Sequence, residues 1–313
     1  MIKKTLIGLA VLAATGAAMA QSSVTLYGVV DVSYGKATGT PAGISGGKAG
    51  GFQSYHTPTR FGLRGSEDLG GGLKANFNFE TGGISMDNGG FGSAGTAGLD
   101  FSREAWVGLS GDFGATRFGR TSSVATQGHA RYDLNGISTS SAMDNAGISP
   151  VTWYGSSRRS SQLQYATNKF SGVDAGVGFV ASGDNAGQSS TALRVNYDNG
   201  PLSVGFVTES KRNAASRTAN ALAASYDFGA AKVSGGFVTS PTVASGKGWH
   251  LGVVAPLGQF RLGAQYARNT ANDTNATELF ANYVLSKRTF LYVDAVSKTG
   301  GTKSYGLGLL HNF

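Results

Sequence analysis

The most constraining feature of the chain is an alternation of apolar and polar residues with a period of two, repeated to the last residue. In "GLKANFNFE" one parity holds Leu73, Ala75, Phe77 and Phe79, and the other holds Lys74, Asn76, Asn78 and Glu80. A β-strand places two such sets on opposite faces. Segments of this kind recur along the chain, which lacks helical periodicity. The pattern predicts a string of short strands.

The breaks between these segments alternate in length. The short ones are rich in Gly, Asp, Asn or Pro, as tight hairpins require, and lie at 67–72, 110–115, 168–172, 198–201, 227–230, 256–259 and 286–288. The longer ones lie at 36–54, 82–102, 121–160, 182–189, 210–217, 240–246, 269–274 and 298–302. Seven short turns and eight longer loops predict sixteen antiparallel strands, with the short turns on one side.

An all-β, sixteen-stranded transmembrane barrel fits this arrangement, because lipid tolerates only a sheet closed on itself. The apolar parity would face lipid and the polar parity would face water. In the last strand the outward set is Tyr305, Leu307, Leu309, His311 and Phe313. We expect this strand to pair with the first, "VTLYGVVDV", so that the chain ends inside the sheet.

Residues 1–20 have the features of a secretory signal peptide, with Lys3 and Lys4 before an apolar run and small residues Ala18 and Ala20 at the end. The apolar run is too short for a membrane-spanning helix. We therefore expect residues 21–313 to form the barrel. This part carries 24 Lys and Arg against 18 Asp and Glu, a mild excess that favours anions as solutes and not nucleic acid as a partner.

Five segments, in order, carry a resemblance to a known family: "SSVTLYGVVDVSYG", "TRFGLRGSEDLGGGLKANFNFE", "REAWVGLSGDFGATRFGR", "YVLSKRTFLYVDAVS" and "GLGLLHNF". Together they resemble the Gram-negative general diffusion porins, especially the β-proteobacterial branch. The resemblance implies a homotrimer of sixteen-stranded barrels, surrounded by outer-membrane lipid and lipopolysaccharide. It also implies that the third extracellular loop folds into each pore and narrows it against a wall of basic residues, through which small hydrophilic solutes and anions pass.

The resemblance also suggests which residues line the narrowest part of the pore. Arg60 matches a wall arginine of the family, and the outward parity of Phe61 and Leu63 independently places Arg60 inward. Arg103 matches a second wall arginine. Its parity is less favourable, because an inward Arg103 would place Val107 and Leu109 inward and Trp106 outward.

A third wall arginine of many relatives is replaced here by Ala166, and Arg158 is our candidate for the missing charge. Lys74 is a further inward cation. Loop 121–160 contains only two carboxylates, Asp133 and Asp144, so we expect a net positive constriction and a preference for anions. The other predicted pore-lining residues are Arg64, Asn76, Asn78, Glu80, Gln162 and Gln164.

Arg120 shares the outward parity of Phe118, where an unpaired charge would be costly. We expect it to have a buried partner at a subunit interface, with loop 82–102, which carries Asp87 and Asp100, as the candidate contact. Trp106 and Trp153 are interpreted as packing or interface residues.

No catalytic constellation, cofactor motif or metal-ligand spacing is evident, and the four histidines are isolated in sequence. We therefore expect a passive pore and not an enzyme. Two alternatives remain open: a substrate-specific porin with a saturable site for an organic anion, and a non-conducting barrel that acts as an adhesin or structural anchor.

Overall fold

The computed structural model describes residues 23–38, 55–86, 90, 99–183, 188–241 and 246–313. The predicted signal peptide and Asp87 lie outside the described residues. Within the described ranges, no helix has the length and apolar character needed to cross a membrane.

Sixteen strands of the described chain form one closed antiparallel barrel in which each strand pairs with its sequence neighbours. Their bounds are β1 Ser23–Ala37, β2 Arg60–Gly70, β3 Leu73–Glu80, β4 Glu104–Gly111, β5 Gly114–Ser122, β6 Arg158–Ala166, β7 Val173–Val180, β8 Ser190–Asn199, β9 Leu202–Glu209, β10 Ala219–Asp227, β11 Lys232–Thr239, β12 Lys247–Leu257, β13 Phe260–Asn269, β14 Thr274–Ser286, β15 Thr289–Lys298 and β16 Thr302–Asn312. The predicted fold class is confirmed.

The period of two in the sequence becomes an inner and an outer face of the barrel. In β14, Leu279 is 57% exposed, whereas its neighbours Glu278 and Phe280 are buried. The same contrast separates exposed Phe206 from buried Val207 in β9. Since the exposed members are large and apolar, the outer surface suits lipid.

The barrel closes between its first and last strands. β16 pairs with β1 from Ala37↔Ser304 to Val29↔Asn312. Beyond this register, Gly28 and Phe313 exchange two backbone hydrogen bonds of 3.1 Å. Tyr305, Leu307, Leu309, His311 and Phe313 all lie exposed on the outer face.

The segment between β5 and β6, residues 123–157, folds into short helical pieces. Helix α1 spans Val124–His129 and is capped by Ser123 Oγ, which accepts from Thr126 N. Helix α2 spans Ala142–Ala146 and ends at Gly147, whose φ of 74° suits glycine. Turns of 3₁₀ helix cover Ala130–Tyr132 and Pro150–Gly155.

This loop packs against the inner face of the barrel. One buried cluster joins loop residues with inward residues of β9 to β15: Ala125, Ala142, Met143, Ala146, Ile148 and Trp153 with Val207, Ala219, Ala221, Val238, Ala267, Ala276 and Val296. A barrel whose outside faces lipid therefore has its hydrophobic core inside, between the loop and half of the wall. A second, smaller cluster joins Val29 of β1 with Tyr55, Tyr292 and Leu310.

Candidate pore lining

Three arginines and two glutamates meet on the inner wall beside the loop. Arg103 Nε lies 2.5 Å from Glu80 Oε1, and Arg60 Nε lies 3.5 Å from the same oxygen. Arg158 Nε lies 3.7 Å from Glu104 Oε1. The structure thus brings together three of the four predicted wall cations, and we call these five residues the arginine cluster.

Glu104 was missed by the sequence interpretation, and Glu80 was assigned only a general pore-lining role. Both are buried, and they leave the arginine cluster with a net charge of +1 if all five groups are ionised. Ser122 Oγ donates to Glu104 Oε1 at 3.1 Å and Trp106 Nε1 donates to Glu104 Oε2 at 2.9 Å. These hydrogen bonds hold the carboxylate in place beside Arg158.

Arg103 points inward, although the alternation of residues in β4 argued against an inward orientation. It lies one residue before β4, where its backbone N–H donates to Glu80 O at 3.2 Å. The alternation of β4 therefore does not apply to it. Val107 and Leu109 are exposed outward, and Trp106 lies on the inner side beside Glu104, so Arg103 points inward without turning these two apolar residues inward.

Lys74 is separated from the arginine cluster. It is exposed at the second residue of β3, beside the β2–β3 turn and opposite Asp68 and Ser110. Glu80 lies six residues further along the same strand, which corresponds to roughly 20 Å. Lys74 thus lies near the short-turn end of the barrel and not at the constriction.

Arg158 and Ala166 lie at opposite ends of β6, so Arg158 carries its charge at a different height of the wall from the residue it was expected to replace. Two other cations, Arg117 and Arg194, line one small cavity together with Ala166. A Cβ on Gly176 would meet Arg194 Nε at 2.8 Å, so the side chain of Arg194 crosses this glycine. Arg194 forms an ion pair with Asp174.

The loop carboxylates do not face the arginine cluster. Asp133 is buried and accepts from Ser141 Oγ at 2.6 Å, from Asn135 N at 3.0 Å and from Gln265 Nε2 at 3.0 Å. Among the described residues it forms no ion pair. The expected opposition of Asp133 to the wall arginines was wrong, because its oxygens are used to bind the loop to itself and to β13.

Asp144 lies in α2 against the wall on the far side of the loop. Burial raises its pKa to about 6, and the negative charge of Asp133 adds to this effect, while a hydrogen bond from Ser149 opposes it. Asp144 therefore loses its charge in mildly acidic solution and is mostly ionised at neutral pH.

Glu278 of β14 is the main anchor of the loop and was not singled out in the sequence. It accepts from Asn135 Nδ2, Ser138 Oγ and Gln265 Nε2, each at 2.8 Å, and from Ala142 N at 3.2 Å. Asn135 Nδ2 also reaches Asp294 Oδ1 of β15 at 3.0 Å. Inward polar residues of two strands thereby fix the middle of the loop.

A second anchor holds the end of the loop. Arg212 lies 4.1 Å from the centre of the Tyr154 ring, whose hydroxyl donates to Ser210 O at 2.9 Å. Arg159 and Arg212 approach Glu209 at 3.7 Å and 3.4 Å. Arg159 also donates to the carbonyl of Trp153, which is buried as expected for a packing residue.

The two predicted pore-lining glutamines are buried and hydrogen-bonded, and Gln164 also lines the small cavity beside Ala166. Gln162 is buried and donates to the carbonyls of Thr121 and Arg159, each at 2.8 Å. Gln164 is also buried and accepts from Gln127 Nε2 at 2.8 Å. Their inward parity was read correctly, but the loop covers them.

Arg120 has hydrogen-bond partners within its own chain. Its Nη1 donates to Ser160 Oγ at 2.7 Å and its Nε donates to Ser102 O. Asp100 accepts from Gly82 N at 2.9 Å and from Ser102 Oγ at 3.0 Å. In the described ranges Arg120 forms no ion pair.

Two of the histidines that are distant in sequence meet in space. The rings of His129 and His250 lie 5.3 Å apart, between α1 and β12. Burial lowers the pKa of His129 well below its usual value, with a smaller contribution from His250. No group of three or more His, Asp or Glu able to hold a metal ion occurs within the described residues.

A closed barrel with an apolar exterior, an internal loop and an arginine-rich inner wall defines the class of protein as an outer-membrane channel. A family model of Gram-negative porins matches residues 8–302. The chain is 38% identical to outer membrane porin protein 32 of Delftia acidovorans, over 93% of this chain and 88% of that one. It is 31% identical to an outer membrane porin protein of Bordetella pertussis, over 82% of this chain and 74% of that one.

Solved structures agree with the sequence relatives. The anion-selective porin from Comamonas acidovorans matches 94% of this chain and 100% of its own length, with a TM-score of 0.72 and 28% sequence identity. The chain belongs to the Gram-negative porin family. It is an outer-membrane protein that forms a channel for passive diffusion, and its family and fold are those of channels and not of enzymes.

Proposed function

We propose that this channel prefers anions and that the arginine cluster creates the preference. The observation that carries the proposal is the meeting of Arg60, Arg103 and Arg158 on one wall with only two carboxylates between them. Charged side chains around a narrow passage bias which ions enter. The anion-selective porin from Comamonas acidovorans, similar over nearly the whole chain, supports the same preference.

The charge balance around the passage supports this proposal further. Arg64 and Arg117 add two positive charges to the inner wall, and within the described ranges neither has a carboxylate partner. Asp133 is occupied by hydrogen bonds to Ser141 and Gln265. These contacts direct Asp133 toward β13 and not toward the arginine cluster, so its charge acts on another part of the wall.

Planar-bilayer recording of the purified protein tests the proposal. Under a gradient of potassium chloride, we expect the reversal potential to indicate a higher permeability for chloride than for potassium. The preference should weaken at high ionic strength, because salt screens exposed charges. A reversal potential of zero, or one that favours potassium, would contradict the proposal.

We also propose that three copies of the chain associate, each with its own pore, and that lipid and lipopolysaccharide surround the trimer. An apolar groove of about 300 Å³ on the outer surface, where β1, β2 and β16 meet, supports an association at this side; it is lined by Leu26, Val30, Phe61, Ile84 and Phe313, among others. The molar mass of the protein in detergent, corrected for bound detergent, distinguishes a trimer from a monomer.

A further inference from the structure

A second group of cations lies on the inner wall on the short-turn side of the arginine cluster. Arg64 of β2 and Arg117 of β5 line one cavity of about 490 Å³, together with polar Ser66, Asn76 and Asn78. This volume falls in the range of sites for small molecules. The backbone register joins the cavity to the arginine cluster, because Arg64 and Asn78 lie two residues from Gly62 and Glu80.

Each of these arginines is stacked on an aromatic ring. Arg64 lies 5.0 Å from the centre of the Tyr27 ring, and Arg117 lies 4.8 Å from that of Trp106. Stacking of this kind attracts the guanidinium through the face of the ring and restricts its orientation. The edge of the guanidinium, which carries the N–H donors, stays available.

The two rings are themselves held by hydrogen bonds to the wall. The Tyr27 hydroxyl lies 2.8 Å from Asn78 Oδ1 and 3.0 Å from Glu80 Oε2. Trp106 Nε1 donates to Glu104 Oε2 at 2.9 Å. A Cβ on Gly62 would meet the Tyr27 ring at 2.7 Å, so glycine at this position is needed for the ring to cross the wall.

The same contacts explain why the two arginines lack carboxylate partners. Glu80 and Glu104 interact with the arginine cluster on one side and with Tyr27 and Trp106 on the other. Among the described residues, no carboxylate oxygen lies within 4.0 Å of Arg64 or Arg117. Two oriented guanidinium groups share a polar cavity in which no carboxylate pairs with them directly, although the charge of Glu104 still acts on Arg117. This arrangement suits a ligand with two negative charges and several acceptor oxygens.

We propose that Arg64 and Arg117 form a binding site for small doubly charged oxyanions, such as hydrogen phosphate, sulfate or a short dicarboxylate. The site rests on the proposed anion preference, which brings such solutes past the arginine cluster. An anion that crosses the channel is retained here before it leaves, so the flux of doubly charged oxyanions saturates while that of chloride does not.

Block of the chloride current by inorganic phosphate tests this site in the reconstituted full-length channel. Phosphate is added at a pH at which it is mostly the dianion, and the concentration that halves the phosphate-sensitive current is measured. We expect Arg64→Gln and Arg117→Gln each to raise this concentration about ten-fold or more, because each removes a charge-assisted interaction. Arg261→Gln is the matched control, since Arg261 lines a different cavity, near Leu134 and Asn135, and should leave the block unchanged.

Substitutions of the ring test the stacking directly. Tyr27→Phe keeps the aromatic ring and should retain the phosphate block. Tyr27→Leu removes the ring and should raise the half-blocking phosphate concentration, as Arg64→Gln does. Ordinary unit conductance in chloride identifies a folded channel for each variant.

The outcomes separate this site from the proposed function. A wild-type channel that prefers chloride but shows no saturable phosphate block would overturn the site and leave the anion preference intact. Equal phosphate block in wild type, Arg64→Gln and Arg117→Gln would also overturn it. A wild-type channel without any preference for anions would contradict the proposed function itself.

Discussion

Arg103 and Glu80 form the shortest ion pair of the arginine cluster, with 2.5 Å between Nε and Oε1. Their side chains are 15% and 10% exposed, so the pair is only partly screened by water. Glu80 also faces Arg60 and accepts from Tyr27. Glu80 thus offsets part of the charge of two of the three arginines, Arg60 and Arg103.

Glu80→Gln should increase the preference for anions. The change removes one negative charge beside Arg60 and Arg103 while it keeps the shape of the side chain. A unit charge near a passing ion changes its energy by about 0.5–1 kcal/mol in a water-filled passage, so the permeability ratio should rise roughly two- to five-fold. The reversal potential under a salt gradient measures this, and an unchanged or lower ratio would contradict the assignment.

Arg60→Glu should shift the reversal potential toward cations. It reverses a charge within the arginine cluster and adds a second carboxylate beside Glu80. Lys74→Glu is the matched control, because it makes the same charge change on the same wall roughly 20 Å away, which exceeds the screening length of about 10 Å at 0.1 M salt. Equal shifts for both variants would remove Arg60 from its proposed role.

Glu278→Ala should loosen the loop without unfolding the barrel. The change leaves Asn135, Ser138 and Gln265 without their shared acceptor, and unpaired buried donors cost roughly 1–3 kcal/mol each. Faster hydrogen exchange in residues 133–142 and greater open-channel noise are expected.

Asp273→Ala is the control for this loss of a carboxylate. The ion pair of Asp273 with Arg268 lies at the surface, with side chains 82% and 40% exposed, and such pairs contribute little to stability. If the amides of residues 133–142 exchanged as slowly in Glu278→Ala as in this control, Glu278 would not be the anchor of the loop.

The barrel could be predicted from the sequence because lipid imposes the period of two on every strand. The contrast between Phe79 and Glu80 is present both in the sequence and in the exposure of the two side chains. The ends of turns were predicted less accurately. The predicted turn began at residue 67, whereas β2 continues to Gly70. Glycines at 70–72, all with positive φ, allow this tight reversal.

The pore lining could be predicted only where a residue lies within a regular strand. Arg60 follows the parity of Phe61 and Leu63, whereas Arg103 lies before β4, where parity no longer holds. The direction of Asp133 depends on Gln265, which is 132 residues away. A local sequence pattern cannot predict a contact between residues so far apart in the chain. Strand alternation likewise predicts that Gln162 and Gln164 face inward, but it does not predict that the loop packs over them.

Asp144 predicts how the loop responds to pH. Burial raises the pKa of this carboxyl from 3.8 to about 6, so the packed loop favours the protonated form. The resulting stabilisation is complete below pH 3.8 and is lost as the pH rises through about 6, at a cost of roughly 3 kcal/mol by neutral pH. We therefore expect hydrogen-exchange protection of residues 142–148, corrected for intrinsic rates, to fall between about pH 4 and pH 7.

Asp144→Asn should abolish this pH dependence of the loop and keep the higher protection at pH 7, whereas Asp273→Asn should behave as wild type. An equal pH dependence in wild type and Asp144→Asn would show that another group controls the packing of the loop.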